Sequence, residues 1–405
     1  MRKRIPLHQL RVGMYVAGID CSWYRTPFLK HRFLVTSEKQ IARLQRSNIQ
    51  AVDIDSSKGL DVTSFPIAIE TLHTIGLQTS AQAAAVPETP RALGPLSQEL
   101  TMAREMREKL VRSVKTVFDE ISKSGVARPG LVDETVQEII IVTRTLSTHA
   151  TFMAMSQGRH LDASFNNHSL TVCTLAMIIG QALGHDPIKL HELATGALLH
   201  DIGFSQLPLR LFRTSTPFSH EELADFHHHP RLGAIAIEAQ CDFSQTVRRI
   251  AAEHHVTPDG QGYPSETSAD SIAEASRIVM IADRYDELLT GFGGLRPLLP
   301  HAAIQQLFQG GEFGRLDLGL VSLFIKLIGI YPVYSFVELN TKERGMIIAI
   351  NPAALHQPIV ELTYDETGLL YRCPLTVDLS KQDRTPLRAI ERVVESELRG
   401  SSRAA

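Results

Sequence analysis

Ala197-Leu198-Leu199-His200-Asp201-Ile202-Gly203 closes an apolar helical run with two ionisable side chains set next to each other. Burying either one is costly unless it is paired or coordinates a metal ion. Further along and before it, the same kind of placement recurs. His168 opens a helical segment, and His229 begins His229-Pro230-Arg231-Leu232-Gly233. His254-His255 precedes Pro258-Asp259-Gly260-Gln261-Gly262-Tyr263-Pro264, and Asp283 sits in Ile281-Ala282-Asp283. Neutral imidazoles together with carboxylates are a ligand set for iron, manganese or zinc, and an aspartate can bridge two ions. Each of these histidines alone would read as a helix cap; their joint occurrence between 168 and 283 argues for one shared site. The other histidines, such as His8, His31, His149, His185, His191 and His301, read as surface or capping residues.

Around this stretch the pattern is helical. Leu100–Ser122, Val132–Met155, Ser169–Leu183, Leu190–Leu199, His220–Glu238, Phe243–His255, Ser271–Leu289 and Leu318–Ile328 carry apolar residues three and four apart. Four segments follow. Residues 1–75 form a small α/β domain, with β-like runs at Tyr15–Ala17, Phe33–Val35 and Ala51–Ile54 and a helix over Ser37–Arg46. Residues 76–97 form a linker rich in Ala, Ser, Thr and Pro. Residues 98–330 form the helical metal-site domain. Residues 331–405 form a β-rich appendage, with strands at Val333–Leu339, Gly345–Ile350 and Ile359–Tyr364, ended by a polar helix and the tail Ser401–Ala405. The fold class is therefore mainly α.

Composition narrows the partners. Lys plus Arg number 41 against 44 Asp plus Glu, a net charge of −3, which gives no reason to expect nucleic acid as a partner. The first fifty residues are basic, and a solvated face explains them. Cys21, Cys173, Cys241 and Cys373 are scattered, which fits a reducing compartment and neither a disulfide frame nor a thiolate zinc site. The start of the chain lacks the apolar core of a secretory signal. Asp317, Lys326 and Pro332 interrupt the longest apolar stretch, Leu316–Val333, which reads as a buried helix and turn and not a bilayer span. A cytoplasmic protein is expected, with self-association left open.

The order and spacing of Asn167-His168-Ser169, Leu199-His200-Asp201-Ile202-Gly203, His229-Pro230 with Gly233, His254-His255, Asp259-Gly260-Gln261-Gly262-Tyr263-Pro264 and Ala282-Asp283 resemble the HD-GYP branch of the HD phosphohydrolases. The resemblance covers about residues 100 to 330. Residues 1–75, with Gly13-Met14-Tyr15-Val16 and Ser22-Trp23, resemble the small domain of unknown role that often precedes it. The resemblance implies a metal-dependent phosphodiesterase that opens cyclic di-GMP to pGpG and onward to GMP. It places metal ligands at His168, His200, Asp201, His229, His254, His255 and Asp283, with Asp201 bridging two ions, iron or manganese. His200 and Asp201 are the catalytic pair. Family members with a third ion use a Glu where this chain has Ser164, so two ions are expected here. Gly262, Tyr263 and Pro264 are expected to shape the substrate pocket and to meet partner proteins such as diguanylate cyclases.

The chain departs from the family at three places. Phe204 stands where a lysine usually meets the substrate phosphate, Val256 stands where a Glu usually follows the histidine pair, and 287–297 is lengthened and rich in glycine. Arg210, Arg213 and Arg296 are the candidate replacement substrate contacts, with an ordinary surface role as the alternative for the first two. The departures point to a slowed enzyme. They also support a second reading, a catalytically weak receptor or scaffold that binds cyclic di-GMP or partner proteins. A third is a metal phosphohydrolase for another nucleotide.

Overall fold

The computed structural model describes residues 2–6, 10, 14–19, 33–35, 41, 51–55 and 58, and then 94–394 except 157–164, 209–210, 212–217, 241, 293–294, 384 and 386. The chain divides into two compact units, Met1–Pro87 and Glu88–Ala405.

In the first unit β1 (Arg2–Pro6), β2 (Tyr15–Ile19), β3 (Phe33–Leu34) and β4 (Ala51–Asp55) form an antiparallel sheet in the order β1-β4-β2-β3. Alternating side chains put Val52 and Ile54 of β4 on one buried face. There they join Ile5, Leu10, Met14, Val16, Val35 and Ile41. The basic start of the chain is thus a paired strand whose Ile5 is core. Of the helix read over Ser37–Arg46, only Ile41 is among the described residues.

The second unit is mainly helical, as its periodicity requires. Its helices are α1 (Gly94–Ser124), α2 (Pro129–Thr145), α3 (Thr148–Ser156), α4 (Phe165–Ala182), α5 (Pro187–Leu199), α6 (His220–His227), α7 (His229–Glu238), α8 (Gln245–Glu253), α9 (Glu274–Thr290), α10 (Pro300–Glu312) and α11 (Leu318–Ile328). α4 packs against α1, α2, α3, α5, α9 and α11. It is buried continuously from Asn167 to Gly180, which explains why its sequence is apolar almost all round. Two of its hydroxyls are satisfied within the helix: Thr171 and Thr174 donate to the carbonyls of Asn167 and Leu170. Two helices that read as continuous are broken. Val132–Met155 is interrupted at Leu146, which turns extended. His220–Glu238 is interrupted at His228, because Pro230 has no N–H to continue the preceding turn. No described helix is long and apolar enough to cross a membrane.

A five-stranded antiparallel sheet follows, in the order β8-β7-β6-β5-β9, from β5 (Phe336–Leu339), β6 (Arg344–Ala349), β7 (Ile359–Tyr364), β8 (Leu370–Asp378) and β9 (Ile390–Val394). The expected polar helix near the C-terminus is instead β9 over 390–394. It pairs with β5 in register Val337↔Val393, which keeps β5 from being an open edge. Arg392–Glu338 at 2.7 Å and Lys342–Glu391 at 2.7 Å bridge that seam.

Glu343, buried in the turn between β5 and β6, receives Arg388 at 2.6 and 2.8 Å, Thr341 at 2.6 Å and Tyr371 at 2.8 Å. The Arg388 guanidinium, with the two hydroxyls, holds its carboxyl down at about 2. A carboxyl lowered on folding contributes stability above the unfolded carboxyl range, and that stability is lost as pH falls through the folded value. Glu343→Gln is therefore expected to cost about 3 kcal/mol at neutral pH. The difference from the parent should shrink between pH about 4.5 and about 2, which urea melts across that range would show.

Candidate metal centre

Four helix ends and one helix interior converge. His168 stands in the first turn of α4. Asp186 caps α5, accepting from the backbone N–H groups of Ile188 and Lys189, and the helical conformation runs through to His200 (φ −53°, ψ −37°). Asp201 then leaves the helix (φ −98°, ψ 12°) into a 3₁₀ turn over Ile202–Gln206, so the two neighbours can aim at one centre. His229 is the first residue of α7, placed there by the Pro230 break. Ser244 caps α8, which ends at His254. Asp283 lies inside α9.

Four of the five imidazoles are oriented from behind. Nδ1 of His200 donates to the Ala197 carbonyl at 2.8 Å, that of His229 to Phe226 at 2.7 Å, and that of His254 to Ile250 at 3.0 Å. Nδ1 of His168 faces Asp286 at 2.8 Å. With Nδ1 carrying the proton, each Nε2 turns a lone pair inward. Asp201 divides its two oxygens between them. Its Oδ1 lies 3.1 Å from His229 and 3.4 Å from His254 Nε2, and its Oδ2 lies 3.2 Å from His200 and 3.4 Å from His168 Nε2. Asp283 Oδ1 is 3.2 Å from His168 Nε2, and its Oδ2 is 3.8 Å from His255 Nδ1.

These atoms fit cations better than they fit one another. His168 Nε2, His200 Nε2 and Asp201 Oδ1 are buried without a hydrogen-bond partner. His229 and His254 point Nε2 at Nε2 across 3.1 Å. An ion about 2.1 Å from each ligand separates neighbouring ligands by about 3.0–3.4 Å, as found. Two groups of side chains could each hold one ion: His168, His200 and Asp283, and Asp201, His229, His254 and His255. All seven residues named from sequence are brought together. The electrostatics agree. Burial opposes protonation of His168, yet Asp201, Asp283 and Asp286 outweigh it and raise its pKa well above the ordinary value. Burial resists ionisation of Asp201, but the neighbouring imidazoles of His200, His229 and His168 take its pKa well below the usual range. Burial and the neighbouring His254 and His229 push His255 well down.

Close backbone contacts set the geometry. A Cβ on Gly203 would lie 2.0 Å from the His229 carbonyl oxygen and 2.6 Å from Gly233 N. Gly203→Ala is therefore expected to cost about 3 kcal/mol and to displace His229; a melt and a metal count on the same sample check both. Gly262 is similarly tight, its Cβ position lying 2.1 Å from the His255 carbonyl oxygen. That contact brings Tyr263 over the histidines: its ring stacks on His227 at 3.9 Å and on His255 at 4.5 Å. Pro264 follows on a cis peptide.

Phe204 is buried at 1% exposure among Phe226, Phe292, Phe165 and Tyr263. It stacks on His229 at 4.1 Å, while Phe292 stacks on His168 at 4.6 Å. One side of the centre is thus an aromatic wall. Val256 is buried too, at 3%. Arg296 is exposed in the α9–α10 loop and is not brought into the centre's described contacts; Arg210, Arg213 and Ser164 lie outside the described residues.

Four charged groups went unnoticed in the sequence. Asp286 is the partner of His168. Glu253 takes Ala273 N at 2.9 Å and Ser276 Oγ at 2.8 Å, tying the His254-His255 end of α8 to the start of α9. Glu287, 7% exposed, groups with His255 and Asp283. Burial and Asp283 push its carboxyl up to about 7. Arg284 lies 2.9 Å from Glu287. The signal available for Asp286 and Glu287 was their spacing, one helical turn after Asp283.

Residues 143–318 match the family model of the HD domain, and residues 2–127 match a domain of unknown function, DUF3391. The chain thus carries an HD domain behind a DUF3391 domain. It is 26% identical to a cyclic di-GMP phosphodiesterase of Pseudomonas aeruginosa over 390 residues, covering 95% of this chain and 91% of that protein. A cyclic di-GMP phosphodiesterase of Borreliella burgdorferi is 25% identical over 48% of this chain and 50% of its own length. Among solved structures, an HDG"Y"P protein of Bdellovibrio bacteriovorus aligns with a TM-score of 0.46 and 19% identity, covering 80% of this chain and 98% of that one.

Proposed function

We propose that this chain is a metal-dependent phosphodiesterase that hydrolyses cyclic di-GMP to pGpG, with GMP as a further product, at a centre of two divalent cations. One observation carries the reading: Asp201 presents one oxygen to His168 and His200 and the other to His229 and His254. A carboxylate shared in this way suits two adjacent ions. The relationship to the Pseudomonas protein over nearly the whole chain supports the substrate. An oxygen- and nitrogen-donor set without thiolate suits iron or manganese.

Two such ions supply charge stabilisation to a phosphodiester and activate water at neutral pH. The chain's own residues do the rest. His168, His200, Asp283 and Asp201 hold one position, and His229, His254, His255 and Asp201 hold the other. The Nδ1 hydrogen bonds orient four imidazoles with Nε2 facing the centre. His255, whose side chain is 14% exposed against 0% for His200, His229 and His254, marks the edge from which a phosphate approaches. Tyr263, stacked on both His255 and His227, flanks that edge. Phe204, Phe226 and Phe292 exclude water over His229 and His168. A diguanylate cyclase-type partner would meet the loop around Tyr263. The buried, free Cys173 suits a reducing, cytoplasmic setting.

The test is turnover. Protein purified without oxygen and loaded with iron or manganese is expected to convert cyclic di-GMP to pGpG, followed by chromatography. Tight binding with no product under both metals would overturn the enzymatic reading in favour of a receptor.

A further inference from the structure

Three carboxylates, Asp283, Asp286 and Glu287, are buried on α9 within one and a quarter turns. Two have imidazole partners: Asp283 lies beside His168 and Asp286 holds its Nδ1. Glu287 does not share that arrangement. It sits four residues after Asp283, where two like charges on one helix face repel. One oxygen, Oε2, takes the guanidinium of Arg284 at 2.9 Å, from a side chain 41% exposed. The carboxylate also lies with one ligand atom each of Asp283 and His255 inside a 4.8 Å group, on the partly exposed edge of the centre. A buried carboxylate facing a second one across that distance is costly without a positive charge between them. The resemblance to HD-GYP assigns nothing to this residue.

The geometry points to Glu287 as an additional metal ligand that, with Asp283 and His255, forms a third cation position beside the two already described. This rests on the dinuclear reading and adds a carboxylate the other two positions do not use. The first position takes Asp283 Oδ1, which faces His168, leaving Oδ2 for the new one. His255, whose Nδ1 is 3.8 Å from that oxygen, would serve the new position while the second keeps Asp201, His229 and His254. An ion held there would add positive charge at the partly exposed His255 edge, in a chain that has Phe204 where the family usually has a lysine.

The experiment is a metal count with affinities, independent of turnover: manganese titrated into metal-free, full-length protein, followed by calorimetry and by the electron paramagnetic signal of free manganese. The parent is expected to take three equivalents. Glu287→Gln is expected to keep two and to lose or weaken the third by at least about tenfold. Should Glu287→Gln fold poorly, Arg284→Gln serves instead; removing the competing guanidinium is expected to tighten the third equivalent several-fold. A parent that binds two ions, or a variant whose number and affinity are unchanged, overturns the third position and leaves the dinuclear centre standing. A parent that binds none overturns the dinuclear reading itself.

Discussion

Asp201→Asn is expected to leave at most one of the two proposed cations bound and to slow hydrolysis by roughly a thousandfold, about 4 kcal/mol in the barrier. No other residue at the centre divides its oxygens between four imidazoles. The amide keeps the shape of the side chain but has lost its charge and one of its two acceptor oxygens. Both cation positions therefore weaken together, whereas substitution of His254 removes a ligand from one position only. Metal analysis of the purified variant is the primary measurement. A variant that retains both ions at parental affinity would remove the basis for a shared carboxylate.

Phe204→Lys restores the residue usual in the family and is nevertheless expected to harm the protein. The ring it removes is packed on His229 and enclosed by Phe226 and Phe292. An ammonium placed there is desolvated against aromatic side chains, at a cost of about 3–5 kcal/mol. Burial lowers the pKa of such a lysine, so the unfolded chain binds the extra proton and stability recovers as pH rises toward about 10. Urea melts at pH 7 and pH 9.5 should show the gap to the parent narrowing. Parental stability at pH 7 together with faster turnover would mean that the lysine reaches the phosphate past the ring cluster.

The contrast between these two positions shows what was readable in the chain. His200-Asp201 was conspicuous because ionisable groups at the end of an apolar run demand an explanation, and the same holds for His168, His229, His254, His255 and Asp283. Phe204 read only as the loss of a lysine. Its meaning depends on Phe165, Phe226 and Phe292, which lie far away in sequence and gather only when the helices pack. Asp286 and Glu287 were missed for a related reason: charged residues at helical spacing ordinarily mark a solvated face, and nothing local says that this face of α9 turns inward. The helices were legible from periodicity, but the break at His228 was not, since apolar spacing continues through it even though Pro230 forbids the hydrogen bond. β8 and β9 were the least legible. β8 is mostly exposed and lacks clear alternation, and β9 owes its conformation to backbone pairing with β5, some fifty residues earlier.

The enclosure of the imidazoles has a kinetic corollary. Among the described residues, His200, His229 and His254 are sealed from solvent and aromatic rings lie over His168 and His229, so an ion held there would exchange with bulk by way of the His255 edge or through a transient opening of the helices. Which element resides in the pocket is then decided largely by what the nascent chain meets while it closes, and two cells with different iron supplies would harbour the same polypeptide in different metallated forms long after synthesis.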